Sequence, residues 1–167
     1  MLISTGIPVK EDLEKARPSA ERLVKGPVAM VECFQEIPCN PCVAACARKA
    51  ISMSGGINSV PEVDFEKCTG CSMCITHCPG LAIFVIDQSY SDAFALVKIP
   101  FEYVPVPKAG QFVVGLDRSG EELGWFHVNR ITSGGRKNMT NVIALEVPKG
   151  LSMEVRDIKV GGYRDVE

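Results

Sequence analysis

The stretch CTGCSMCITHCPG, residues 68–80, sets Cys68, Cys71, Cys74 and Cys78 in the spacing C-x2-C-x2-C-x3-C-P. Upstream, CNPCVAACARKAI (39–51) overlays CSMCITHCPGLAI (71–83) at an offset of 32 residues, which pairs Cys39 with Cys71, Cys42 with Cys74, Cys46 with Cys78, Ala50 with Ala82 and Ile51 with Ile83. The chain therefore contains an internal duplication. The counterpart of Cys68 falls on Glu36, and the missing thiol lies three residues earlier at Cys33. The first motif is thus the second with a three-residue insertion, FQE, in its opening loop.

The start MLISTGIPVKEDLEK lacks the basic n-region and apolar core of a signal peptide. No apolar run approaches the roughly 18 residues of a membrane span. The chain reads as cytoplasmic and soluble, a setting in which thiols stay reduced. An even count of eight cysteines in 167 residues then points to metal rather than disulfides. The run at 68–79 has the ligand spacing of bacterial iron–sulfur proteins. Three thiols two residues apart on a tight loop can each face one corner of a cubane, while the fourth, carried away by a helical turn, faces a different cluster. Zinc is the alternative, but four-cysteine zinc sites usually present two C-x2-C pairs, and a third thiol at the same spacing crowds a tetrahedral ion. His77, beside Cys78, reads as a partly exposed helix residue, because eight thiols already saturate two cubanes.

On these motifs residues 28–88 resemble the bacterial two-cluster ferredoxins. The resemblance implies two [4Fe–4S] clusters ligated crosswise: Cys33, Cys39, Cys42 and Cys78 on the first, and Cys46, Cys68, Cys71 and Cys74 on the second. Two departures bear on the first cluster's geometry, the longer first gap and Ala47 where the family usually places a proline.

The rest of the chain divides around this region. Residues 10–25, KEDLEKARPSAERLVK, predict one or two short helices, with Pro18 suited to a first turn, Ser19 to a cap, and Gly26-Pro27 as the stop. PVAMVEC (27–33) predicts a strand entering the first cluster loop, and LAIFVID (81–87) one leaving the second, the two pairing beneath the clusters. A short strand is expected at 63–65. From about residue 98 the texture changes to short runs rich in Val, Ile, Phe and Trp: VKIPFEYVPVP, GQFVVGLD, LGWFHVNRI, NVIALEV and LSMEVRDI. Five such runs predict a small β-barrel. The expected fold class is α+β, with a helical extension (1–27), a two-cluster ferredoxin-like domain (28–92), a small C-terminal β-barrel (93–160) and a tail (161–167) that frays unless it inserts into a neighbour. LDRSGEELG (116–124) reads as a hairpin turn, not an acid pair. Arg118, Arg130, Arg136 and Lys137 read as a solvated basic rim, whose functional alternative is a docking edge for an acidic partner.

Charge and motif content exclude other classes. The net charge is −2, and each oxidised cluster with its four thiolates carries about −2 more, so the loaded chain is acidic and unsuited to nucleic acid. No phosphate-binding glycine loop, Ser/His/Asp set or paired carboxylate stands out, since SGGIN and TSGGRK lack a strand-turn-helix context. No catalytic residue is expected in this chain, which makes it a candidate oxidoreductase subunit rather than an enzyme by itself. VPVPKAGQFVVGLDRSGEELGWFHV and IALEVPKGLSMEVRDI, following the cysteine motifs with IPCNPC, resemble the small iron–sulfur subunits of flavin-containing amino-acid or amine dehydrogenases of the proline, hydroxyproline or sarcosine type. That resemblance implies flavoprotein dehydrogenase partners carrying FAD, with a [2Fe–2S] centre as a further candidate, in a hetero-oligomeric complex. A free-standing ferredoxin and a zinc-bound interaction module are the alternatives.

Overall fold

The computed structural model describes residues 5–134 and 138–165. Arg136 and Lys137, assigned to the basic rim, lie outside the described residues, as do the last two residues of the tail.

Two short helices open the described chain. Helix α1, Lys10–Ala16, is tied at its start by the Asp12 carboxylate, which accepts from the Val9 N–H at 3.2 Å. It stops where Arg17 turns extended ahead of Pro18, since a residue before proline is pushed out of the helical region. Ser19 Oγ accepts from the Arg22 N–H (3.2 Å) and caps α2, Ala20–Leu23. Pro18 therefore precedes the cap rather than occupying the first turn.

The remaining elements are β1 (Val28–Val31), α3 (Pro41–Ala45), β2 (Ile51–Ser52), β3 (Glu62–Val63), α4 (Met73–His77), β4 (Ile83–Asp87), β5 (Phe94–Phe101), β6 (Phe112–Leu116), β7 (Glu122–Ser133), β8 (Asn141–Pro148), a 3-10 turn (Lys149–Leu151) and β9 (Asp157–Ile158). Strand β3 sits one to two residues earlier than expected. As expected, β1 and β4 pair antiparallel, with Val31 opposite Ile83 and Val28 opposite Ile86. The Asp117–Gly120 turn joins β6 and β7 in a hairpin, where Asp117 Oδ1 accepts from the N–H groups of Ser119 (2.7 Å) and Glu121 (2.9 Å).

The expected barrel is not found. Seven strands form one open antiparallel sheet in the order β1-β4-β5-β8-β7-β6-β9. Strand β5 pairs with β8 along its whole length on one side and with β4 at Leu96–Lys98 on the other, so it joins the C-terminal strands to the cysteine-rich region instead of closing them on themselves. The sheet instead continues without a break from the cysteine-rich region into the C-terminal strands. It curls enough for Phe84 of β4, Phe101 of β5 and Ile158 of β9 to share one core with Val113, Phe126 and Leu145. The tail is also held within this chain: Phe112 and Arg164 exchange backbone hydrogen bonds at 2.7 and 3.0 Å, and Arg164 stacks over Trp125 at 3.8 Å.

Strands β1 and β4 are buried on both faces, which explains their unbroken apolar sequence. Ala29, Val31, Ile83 and Val85 face the cysteines, while Val28, Met30 and Ile86 pack against Leu23 of α2 on the other face.

Candidate metal centre

The duplication read from the cysteines extends to the backbone around them. Helices α3 and α4 start and stop 32 residues apart, and each ends on a cysteine whose N–H donates back into the helix, Cys46 to Val43 O (3.2 Å) and Cys78 to Ile75 O (3.3 Å). Three residues on, Lys49 (φ 51°) and Leu81 (φ 52°) both take the left-handed conformation, which turns the chain from helix into strand. The strands then pair crosswise: β4 of the second repeat with β1 of the first, and β2 of the first with β3 of the second, so that Val31 opposite Ile83 is mirrored by Val63 opposite Ile51. The Glu32 N–H donates to Ala82 O (2.8 Å), and the Asp64 N–H to Ala50 O (2.7 Å), again 32 residues apart.

This pseudo-twofold exchange brings the fourth cysteine of each motif to the other. Burial and then the Cys78 and Cys39 thiols push the Cys33 thiol above its ordinary range. Cys42 is raised by burial and by Cys78, Cys39 and Cys33. Cys74 is pushed up to about 12, first by burial and then by Cys68, Cys71 and Cys46. The eight thiols thus lie in two neighbourhoods, and Cys46, Cys68, Cys71 and Cys74 line one cavity floored by Ala29, Ile51 and Val85. A thiol raised as Cys74 is ionises readily only beside a strong cation, which is what ferric and ferrous iron provide. Backbone amides point at three of the sulfurs: Ala50 N–H at Cys46 (3.2 Å), the equivalent Ala82 N–H at Cys78 (3.4 Å), and Ala29 N–H at Cys68 (3.3 Å). Such bonds stabilise thiolate ligands and tune a cluster's potential. Donor number, donor softness and amide placement all fit two [4Fe–4S] clusters.

The loop of the second motif is shaped by Gly70, whose φ of +62° and close approach to Pro27 leave no room for a side chain; a Cβ there would lie 2.5 Å from Pro27 Cβ and 2.7 Å from its carbonyl carbon. Nothing in the cysteine spacing points to the groups that brace these loops. The buried Arg22 of α2 donates to four carbonyls, of Phe65 (2.7 Å), Gly26 (3.0 Å), Pro27 (3.2 Å) and Cys68 (2.7 Å), locking the helical extension to the second loop. Glu32, adjacent to Cys33, is buried with two arginines, one from the β6–β7 turn and one just before β9. Arg118 donates to both its oxygens (2.7 Å each) and Arg156 to one (2.6 Å), with side-chain exposures of 7% for Glu32, 10% for Arg118 and 4% for Arg156. Burial alone would raise the Glu32 pKa, but the Arg118 hydrogen bonds and the two guanidinium charges outweigh it and hold the carboxyl below its ordinary value. Arg118 is therefore no docking-edge residue; its charge is spent internally. Lys98, on the cysteine-facing side of β5, donates to Gly70 O and Ser72 Oγ (3.3 Å each). Burial lowers its pKa, Asp87 and Cys71 oppose that shift, and Arg130 adds to it.

His77 is exposed at the end of α4, its Nδ1 2.9 Å from Met73 O, in keeping with a helix residue rather than a ligand. Met73 is exposed beside the second quartet.

No curated protein and no solved structure matches the chain. Residues 37–82 match the 4Fe-4S dicluster domain family, a span that takes in Cys39, Cys42, Cys46, Cys68, Cys71, Cys74 and Cys78 and leaves Cys33 just outside, beyond the insertion. This segment is therefore a 4Fe-4S dicluster domain, and its cofactors are two [4Fe–4S] clusters.

Proposed function

We propose that the chain is an electron-relay subunit in which Cys33, Cys39, Cys42 and Cys78 hold one [4Fe–4S] cluster and Cys46, Cys68, Cys71 and Cys74 the other, passing electrons to or from a flavin-containing dehydrogenase partner. When bound, such clusters take up and release one electron each, which suits a flavin that gives up a substrate's two electrons singly. The observation that carries the reading is the pairing of neighbourhoods: each group of three closely spaced thiols has the fourth thiol of the other motif beside it.

A lasting partner is favoured by the parts outside the motifs. In this reading residues 28–92 hold the clusters, the described parts of the extension and of the C-terminal sheet brace them through Arg22, Arg118 and Arg156, and Arg164 pairs with Phe112 at the edge of β6. The Thr140 hydroxyl donates to Glu102 (2.5 Å) and draws together the β5–β6 and β7–β8 connections, where Tyr103, Val104 (81% exposed) and Met139 (79% exposed) present apolar surface to solvent. A patch of that kind is what a subunit interface covers. Among the described residues no helix is long and apolar enough to cross a membrane, and the reduced thiols suit a cytoplasmic setting.

The test is anaerobic purification of the untagged assembly through a high-salt wash, with flavin and companion chains counted. A flavoprotein retained with stoichiometric flavin is the expected result. The chain emerging alone, fully loaded with iron, assigns it instead as a free-standing ferredoxin. Zinc without sulfide makes it a zinc-bound interaction module.

A further inference from the structure

One row of the sheet runs in register across five strands: Ala29, Val85, Lys98, Ala144 and Arg130. Its first two members line the cavity of the second cysteine quartet, and the other three line an adjoining cleft; Cys71, Ser72 and Met73 form the wall between them. Lys98 is half-buried at this boundary, with its ammonium held on Gly70 O and Ser72 Oγ, the residues on either side of Cys71. Besides the Cys71 thiol, Arg130 and Asp87 are the charged side chains acting on it, so Lys98, Arg130 and Asp87 together carry one net positive charge. Around the first quartet the balance is different. Glu32 beside Cys33 is matched by Arg118 and Arg156, and Glu154 on Arg118 brings that group to zero.

We propose that Lys98 is a positioning residue that raises the reduction potential of the cluster in the second quartet above that of the first. The proposal rests on the two-cluster reading above. Reduction adds one negative charge to a cluster, and a cation fixed at a half-buried site, where screening by water is weakened, favours that form. The uneven charge therefore draws an electron toward the second quartet, whose Cys71 is exposed at the surface, and makes the cleft the end of the relay. On this view the long C-terminal sheet has a purpose beyond bracing: β5 and β7 extend the cluster-bearing sheet by the two strands that carry Lys98 and Arg130.

The experiment is a potential-controlled dithionite titration of the anaerobic full-length protein followed by electron paramagnetic resonance, with iron and sulfide counted in every sample. Cys71→Ser, which alters the g-values of the second quartet's signal, assigns the waves. The wild type should show the second quartet's wave at the higher potential. Lys98→Met should lower that wave by at least tenfold in its reduction equilibrium, about 59 mV for a one-electron couple, and move the other wave less. Lys98→Arg, which keeps the charge, should restore it. Lys98→Gln keeps a donor for the Gly70 carbonyl and supplies the same comparison if Lys98→Met loads poorly. The proposal is overturned if both clusters are loaded and the second quartet's wave is the lower, if it stays in place without the cation, or if Lys98→Arg shifts it as far as Lys98→Met. A wild-type protein without two clusters' worth of iron and sulfide would instead sink the underlying reading, and the two failures are told apart by the counts.

Discussion

Replacing Glu32 by Gln should strongly destabilise the fold, because it removes one partner from a buried ion-pair network. The carboxylate joins the end of β1 to the C-terminal strands through three short charge-assisted bonds, at 2.7, 2.7 and 2.6 Å. Without it Arg118 keeps the Met153 carbonyl at 2.8 Å and Glu154 at 3.4 Å. Arg156 keeps only carbonyls, the Met30 sulfur and the face of Phe84. It is the more exposed to the loss, since burial already pulls it down to about 10 against the support of the Glu32 charge. Removing one partner from a buried ion pair costs about 3–5 kcal/mol. For a chain of this size that lowers Tm by about 6–20 °C, followed by circular dichroism and by bleaching of the visible absorption. Glu154→Ala is the internal control: its side chain is 53% exposed and its contact is long, so the loss should stay within about 1 kcal/mol. A Glu32→Gln protein melting within about 2 °C of the wild type, or a Glu154→Ala protein falling as far as Glu32→Gln, would refute the claim that this network pins the cluster region to the sheet.

Other outcomes follow from the same geometry. Cys78→Ala should cost the cluster of Cys33, Cys39 and Cys42 and spare that of Cys68, Cys71, Cys74 and Cys46, leaving about four irons; loss of the second motif's own cluster would overturn the crossed ligation. Gly70→Ala forces a side chain into a left-handed position, costing about 1–2 kcal/mol before any clash, and against Pro27, so iron should drop by about half while the first cluster's spectrum persists. Arg22→Met leaves four carbonyls without their donor and should cost about 2–4 kcal/mol in urea stability, with faster bleaching in air of the second cluster than of the first. Unchanged bleaching would mean that α2 does not brace the Cys68 loop.

The cysteine runs are legible because cluster ligation constrains spacing itself, and the offset of 32 follows from identities at Cys39, Cys42 and Cys46 alone. The same offset governs Lys49 and Leu81, but no sequence signal marks two unlike residues as sharing a left-handed turn. The strand runs from residue 98 onward are also readable, since alternation is local. Whether they close on themselves is not local: it depends on what pairs with β5, and β4, from the cysteine-rich region, pairs with its Leu96–Lys98. Charges mislead for a related reason. An arginine in a turn sequence such as LDRSGEELG is ordinarily solvated, and only the fold shows Arg118 buried on a carboxylate 86 residues away. Lys98 left a faint trace, as the one charged residue in the strand FALVKIPF.

The most direct test of the account is quantitative iron and acid-labile sulfide analysis of the anaerobically purified chain, with Mössbauer spectroscopy of the ⁵⁷Fe-enriched protein. Two [4Fe–4S] clusters give about eight iron and eight sulfide per chain, all in cubane-type signals. Zinc in place of iron, absence of sulfide, or a single cluster in fully intact protein would contradict it.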